Sequence, residues 1–184
     1  LLLHSFLRLR AVDPGFDPAG VITAATSLAT KGYRDDDAVV EFTNRALEAI
    51  RALPGVEAAG TTCCIPFGGK YNDADGLLPE GYEPKKGESA VSPYFSLVSD
   101  GYFEAMRVPL VRGRLFTPSD TDMSQRVVIV DEPLAERFWP GQDPIGRILL
   151  RPPAPPAPGA MPDAQHPPPK RITVVGVVKP VRLT

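Results

Sequence analysis

The sequence predicts an α+β fold, and three stretches carry that expectation. A β-branched segment at Val21–Ala29, an amphipathic helix and a return segment at Val56–Thr62 read as a strand–helix–strand unit. A second strand and helix follow at Arg126–Val130 and Glu132–Phe138. Near the end, Ile172–Val178 is a continuous apolar run, the pattern of a central strand buried on both faces. The chain has 184 residues, which suits one domain or two small lobes.

The elements follow in order. Leu1 to Arg10 is an apolar, basic-ended stub, which reads either as the last turns of a membrane helix or as a docking helix. No apolar run reaches the roughly 18 residues that a span requires, and no signal peptide is visible. The stub and the missing initiator Met suggest a chain cut from something longer. Asp13-Pro-Gly-Phe-Asp-Pro18 is dense in turn formers and closes the stub. After the strand at 21–29, Asp35, Asp36 and Asp37 supply N-cap and first-turn acids for a helix over about 38–52. Val39, Phe42, Ala46, Ile50 and Leu53 recur at three and four residues and form its apolar face, with Glu41, Asn44, Arg45, Glu48 and Arg51 mostly opposite. Leu53-Pro-Gly-Val56 stops it.

Residues 65–93 read as irregular. Tyr94–Val98 reads as a short strand, Asp100–Met106 as a short helix, and Arg112-Gly-Arg114 as a turn. Pro133 stands in the first turn of the helix at 132–138, where a missing N–H costs least. Ile148–Leu150 is another strand. Between it and the last one, nine of the chain's 22 prolines fall between Pro152 and Pro169, so Arg151 to Lys170 reads as a long loop with no ladder.

Composition narrows function. Charged residues make up 23% and apolar ones 43%, which is globular rather than disordered. Net charge is −2 with scattered Lys and Arg, which argues against a nucleic-acid surface. The adjacent Cys63 and Cys64 do not make a disulfide framework and read as small buried hydrophobes. His4 and His166 stand alone, in the stub and in the proline loop, without zinc-ligand spacing. Asn72-Asp-Ala-Asp-Gly76 fails as a calcium loop, because Tyr71 and Tyr82 occupy ligand positions. Gly68-Gly-Lys70 fails as a phosphate loop: Tyr71 follows the lysine and Cys64 replaces the first glycine. Asp131-Glu132 and the acids at 120 and 122 read as caps, and Arg112 and Arg114 as partners of acids in this chain. Tyr102, Phe103, Phe116, Phe138 and Trp139 read as core and staple residues. No catalytic, cofactor-binding or metal-ligating residue is singled out, and no cofactor is expected. A hydrolase using Cys63 or Asp131 would need a base partner that the sequence does not offer.

Several phrases, in this order and spacing, resemble one family: Asp13-Pro-Gly-Phe-Asp-Pro18, Leu53-Pro-Gly-Val56, Gly101-Tyr-Phe103, Pro109-Leu-Val-Arg-Gly-Arg114 with Phe116-Thr117 and Asp120, Val127-Val-Ile-Val130, Arg137-Phe-Trp-Pro-Gly141, Asp143-Pro-Ile-Gly146 and Val174-Val-Gly-Val-Val178. Together they are similar to the periplasmic core domain of macrolide-exporter-type (MacB-like) ABC permeases, and the wording most resembles the duplicated orphan permeases of acidobacteria. The resemblance implies two lobes, a porter-like strand–helix–strand lobe and an inserted, mostly β lobe. On that reading residues 1–10 end a membrane helix or linker, 11–62 begin the porter-like lobe, 63–170 form the insertion with its proline loop at 151–170, and 171–184 return to a lobe left incomplete. It further implies a non-catalytic domain on the periplasmic side of the bacterial inner membrane. ATP hydrolysis would occur on a separate cytoplasmic ATPase. The domain would couple membrane-helix motion to export or release of a substrate, in a full-length protein expected to be dimeric and to meet a periplasmic adaptor. The competing expectation is a freestanding extracytoplasmic module that binds a ligand or peptide between its lobes.

Overall fold

The computed structural model describes residues 13–28, 36–68, 72–73, 77–83, 93–121, 123–151 and 168–182. The stub, both histidines and the proline-rich residues 152–167 lie outside the described residues. So do residues 69–71 and 74–76 of the two loop motifs. Among the described residues no helix is long and apolar enough to cross a membrane.

The fold is mixed helix and sheet, as expected of an α+β chain. Helix α1 spans Asp36–Arg51. The short strands β1 (Asn72–Asp73) and β3 (Tyr94–Phe95) pair with each other antiparallel. Between them lies β2 (Leu78–Pro79). Then come α2 (Tyr102–Ala105), β4 (Leu110–Gly113), β5 (Val127–Asp131), α3 (Glu132–Phe138), β6 (Ile148–Arg151) and β7 (Lys170–Val178).

β7 organises the main sheet. β5 runs parallel along one edge of it, pairing Val127 with Thr173 and Asp131 with Val178. Thr173 also pairs with Ile148, and Gly176 pairs with both Ile129 and Gly113, so β6 and then β4 lie antiparallel along the opposite edge. β2 extends the sheet beyond β6 through Leu78↔Leu150. The apolar run at 172–178 is therefore central, as its continuous hydrophobicity required. Register shifts opposite Val128–Ile129 and at Leu110–Arg112 bend the ladder locally.

Two apolar clusters lie against this sheet. One gathers Leu77, Val130, Ala135, Phe138, Trp139, Leu149, Val174 and Val177, and within it Leu149 and Val174 are 0% exposed. The other gathers Tyr102, Met106, Val108 and Val178, with Phe16, Val21, Ile129 and Val181 packed against it. Consecutive β5 residues, Ile129 and Val130, serve different clusters, so the two cores occupy opposite faces of the strand. α3 covers the first face. Asp131 caps it by accepting the Leu134 N–H at 3.0 Å, Pro133 occupies its first turn, and Phe138 meets Trp139 and Tyr82 edge-on. Tyr102, Phe138 and Trp139 are core residues as the sequence indicated, with Phe103 and Phe116 half-buried beside them.

Three expectations are corrected. Residues 21–28 carry no strand: Val21 packs into the second cluster, but Ile22 is 94% exposed and the segment finds no ladder partner, so β-branching alone does not make it a strand. Val56–Thr62 likewise forms only one bridge, Thr62 to Val98. At Gly60, where an added Cβ would lie under 3.0 Å from the Tyr102 backbone, the segment abuts the start of α2. The strand–helix–strand unit of the first third is thus a helix with irregular flanks. Finally, Leu110–Gly113 is a strand where a turn was expected, hidden because all four of its residues are exposed and show no alternation.

Candidate functional site

The site begins at the last residue of α1. The turn after it holds Pro54 and Gly55 at its centre, closed by the Val56 N–H to Leu53 carbonyl bond at 3.2 Å, with Gly55 at φ 85°. This reverses the chain and lays residues 57–60 beside the C-terminal turn of the helix. The Arg51 guanidinium then reaches across. Its Nε and Nη2 donate to the Ala59 carbonyl at 3.1 and 2.8 Å, Nη2 also donates to the Asp100 carbonyl at 2.9 Å, and Nη1 meets Asp100 Oδ2 at 3.1 Å. One planar side chain thereby ties together α1, the 57–60 segment and the turn into α2.

Gly101 makes room for this clamp. It has φ 77°, and an added Cβ would lie 2.7 Å from Arg51 Nη2. Leu47, one helical turn before Arg51, is the buried residue of α1 at 3% exposure, while Ile50 and Leu53 of the expected apolar face are exposed. Val39, Phe42 and Ala46 of that face are half-buried, so the inward face keeps its first half and turns toward Leu47 and Arg51 at its end. Arg51 was assigned to the solvent face because its partners are mostly backbone carbonyls, which no side-chain pattern reveals.

Beside the clamp opens a cleft of about 380 Å³, lined by Arg51, Glu57, Asp100, Glu104, Phe116 and Thr117 among others. Phe116, Thr117 and Pro118, from the turn at 114–120, form part of its lining. There Arg114 grips Asp120 in a two-pronged pair at 2.6 and 2.8 Å, and Asp120 also accepts the Thr117 N–H at 2.8 Å. These polar groups of the turn bond one another. Asp120 is held well below the usual carboxylate range, at about 2 instead of 3.8, chiefly by the Arg114 hydrogen bond. A lowered folded-state value adds stability that is present above the unfolded pKa and lost as pH falls from about 4 to about 2. The depression corresponds to about 2 kcal/mol, or about 1 to 2 kcal/mol after screening at the half-exposed arginine. Arg114→Ala is therefore expected to lower stability by that amount at pH 6 and by little near pH 2. Urea denaturation at the two pH values checks this, and an equal loss at both would contradict it.

The other residues weighed from sequence divide plainly. Arg112 pairs with Asp143 at 3.5 Å and Arg114 with Asp120, so both arginines meet acids of this chain. Asp131 caps α3, and burial pushes its carboxyl above its ordinary value. Glu132 binds Lys179 at 2.7 Å. Of the two cysteines only Cys64 is buried; Cys63 is exposed, which corrects the reading of both as core. They are thiols, with the Cys64 S–H directed at Cys63 Sγ at 3.0 Å. The Tyr102 hydroxyl nearby is pushed up by burial and then by Cys63. Among the described residues no group of three His, Cys, Asp or Glu side chains is placed to hold a metal ion. Arg51 thus braces three segments, mostly through backbone carbonyls, and Arg114 braces the turn that follows it.

Residues 9–183 match the family model described as the MacB-like periplasmic core domain. Among solved structures, the chain is similar to the periplasmic region of MacB from Actinobacillus actinomycetemcomitans, at 17% identity and a TM-score of 0.46, covering 77% of this chain and 52% of that one. It is similar to the extracellular domain of the noncanonic ABC-type transporter YknZ from Gram-positive bacteria, at 17% identity and a TM-score of 0.44, covering 76% and 58%. A domain of a putative permease protein from Porphyromonas gingivalis matches at 18% identity and a TM-score of 0.40, covering 74% and 44%. The chain spans about half the length of these structures. No curated protein matches it significantly. With nearly its whole length matched by the family model, the chain belongs to the MacB-like periplasmic core domain family of ABC transporter permeases.

Proposed function

We propose that this domain relays motion in an ABC-type permease: membrane helices of the same protein, driven by a cytoplasmic ATPase, move it as a lever that couples ATP turnover to export or release of a substrate. The carrying observation is the Arg51 clamp, which joins α1 to the 57–60 segment and to the turn into α2 through four hydrogen bonds. A lever must transmit displacement without absorbing it, and a planar, always charged guanidinium bonded to two carbonyls and a carboxylate is a stiff joint. In this reading residues 11–62 and 63–170 act as two lobes, with β7 completing the sheet of the second and the Arg182 N–H then meeting the Pro14 carbonyl of the first, and the full-length protein is a dimer that meets a periplasmic adaptor. The wording of the family phrases further suggests an origin among acidobacterial orphan permeases. No side chain is assigned a catalytic role. The rival reading, a freestanding binding module, draws less from the cleft, where Arg51 and Asp100 bond each other and Thr117 bonds Asp120.

The test uses the full-length permease with its ATPase in lipid nanodiscs. Spin labels on noncanonical residues at the exposed positions Glu48 and Glu136 leave both cysteines untouched. The distance from the Glu136 label to labelled lipid headgroups is expected to differ between nucleotide-free and vanadate-trapped states by more than about 2 Å, the scale of small switching shifts. The distance between the labels at 48 and 136 is expected to stay fixed, and to broaden with Arg51→Ala. A headgroup distance identical in both states refutes the relay.

A further inference from the structure

We propose that Cys63 and Cys64 form a vicinal dithiol that is reversibly oxidised to an intramolecular disulfide, a modification site on the strap joining the helix-bearing segment to the sheet-bearing one. Four observations place it. The two sulfurs lie 3.0 Å apart, with the Cys64 S–H directed at Cys63. Cys63 is exposed and reachable, whereas Cys64 is buried. The local backbone is pinned: the Cys64 N–H donates to Thr62 Oγ1 at 3.1 Å, and that hydroxyl donates to the Cys64 carbonyl at 3.0 Å. Cys63 also sits on the bridge itself, its N–H donating to the Leu97 carbonyl at 3.0 Å and its Sγ accepting the Leu97 N–H at 3.3 Å.

These positions assign an order of events. The exposed Cys63, as thiolate, attacks one sulfur of a disulfide oxidant, either a small-molecule disulfide or a thiol–disulfide oxidoreductase. A mixed disulfide forms and one oxidant thiol leaves. Cys64 then loses its proton and attacks Cys63 Sγ, displacing the second oxidant thiol. In sum two protein thiols become one disulfide and the oxidant disulfide becomes two thiols, so electrons and hydrogens balance. Consecutive Cα atoms are about 3.8 Å apart across a trans peptide, closer than the roughly 4.4 to 6.8 Å of relaxed bridges. The product is therefore strained and easily reduced, which suits a labile site rather than a permanent staple. Closing the ring also redirects Cys63 Sγ toward Cys64 and away from the Leu97 N–H, so the modification acts on the bridge between residues 61–63 and 97–99.

The chain contains two cysteines, which keeps the readout simple. The chain is incubated with oxidised glutathione, alkylated with iodoacetamide and weighed intact. The expected product is a monomer lighter by two hydrogens, without alkyl or glutathionyl adducts, that regains two alkylatable thiols after dithiothreitol. Cys64→Ser is expected to stop at the mixed disulfide, carrying one glutathione on Cys63. Stable glutathionylation of the unmodified chain, a disulfide-linked dimer as its main product, or two alkylated thiols after oxidation would each overturn the proposal. Cys63→Ser separates the order of attack: retention of an unreacted Cys64 supports Cys63 as the entry point, and rapid glutathionylation of Cys64 contradicts it.

Discussion

Replacing Gly176 by valine is expected to unfold the domain. Gly176 faces Gly113 across the β4–β7 ladder, and a Cβ built on it would fall under 3.0 Å from the Arg114 carbonyl and 3.2 Å from Ile129 Cγ1. The obstacle is backbone rather than the yielding end of a side chain, so β4 would have to leave β7. Its departure would break the Arg114 N–H to Val175 carbonyl bond, 2.9 Å in the native chain, and pull on the Arg114–Asp120 pair beyond it. Gly113 has no freedom to compensate, because its own φ of 78° and its contact with the Val175 carbonyl already exclude a side chain. The cost is on the order of 4 kcal/mol or more, placing it in the small class of severe substitutions. That is a large share of the roughly 5 to 15 kcal/mol by which a domain is stable. Circular dichroism melts of the purified variant check this, and a melting temperature near that of the parent would mean the two strands are not in close approach.

The second large effect is expected at Leu149. It is 0% exposed, lies opposite Ile172 on β7, and sits in the cluster with Val174, Phe138 and Trp139. Leu149→Ala removes apolar volume from a site walled by the sheet and α3. Walls of that kind relax little, so the loss combines a transfer cost with a cavity cost of about 3 to 4 kcal/mol. Leu149→Met keeps the volume and is expected to cost less than about 1.5 kcal/mol. Denaturant titration of both variants distinguishes volume from mere substitution: equal losses would show that the position is not close-packed.

How much of this was legible in sequence depended on where each element finds its partners. α3 was legible because its signals are local: Asp131 as a cap just before it and Pro133 in its first turn. β5 and β7 were legible because burial on both faces leaves a run of Val and Ile. β4 was missed for the converse reason. It joins the sheet through its backbone while its four side chains stay exposed, and its Gly113, which marks a close approach, looks like a turn. The false strand at 21–29 came from propensity without a partner. The clamp was illegible because Ala59 and Asp100 meet Arg51 largely through carbonyls, one of them 49 residues away. The cysteine pair was visible, but nothing in the order of residues says that one thiol turns outward.

β7 follows β2, β4, β5 and β6 in the chain, yet three of those four strands pair directly with it. While a ribosome is still making residues 110–151, these strands have no common partner, and their open edges are the kind that invite association between chains. Sheet closure must wait for residues 170–178 to emerge, and the wait includes the whole proline-rich stretch before them. A nascent chain that stalled before Lys170 would hold at most the β2–β6 pair, with β4, β5 and β6 presenting open edges, so chaperone protection matters most in that interval.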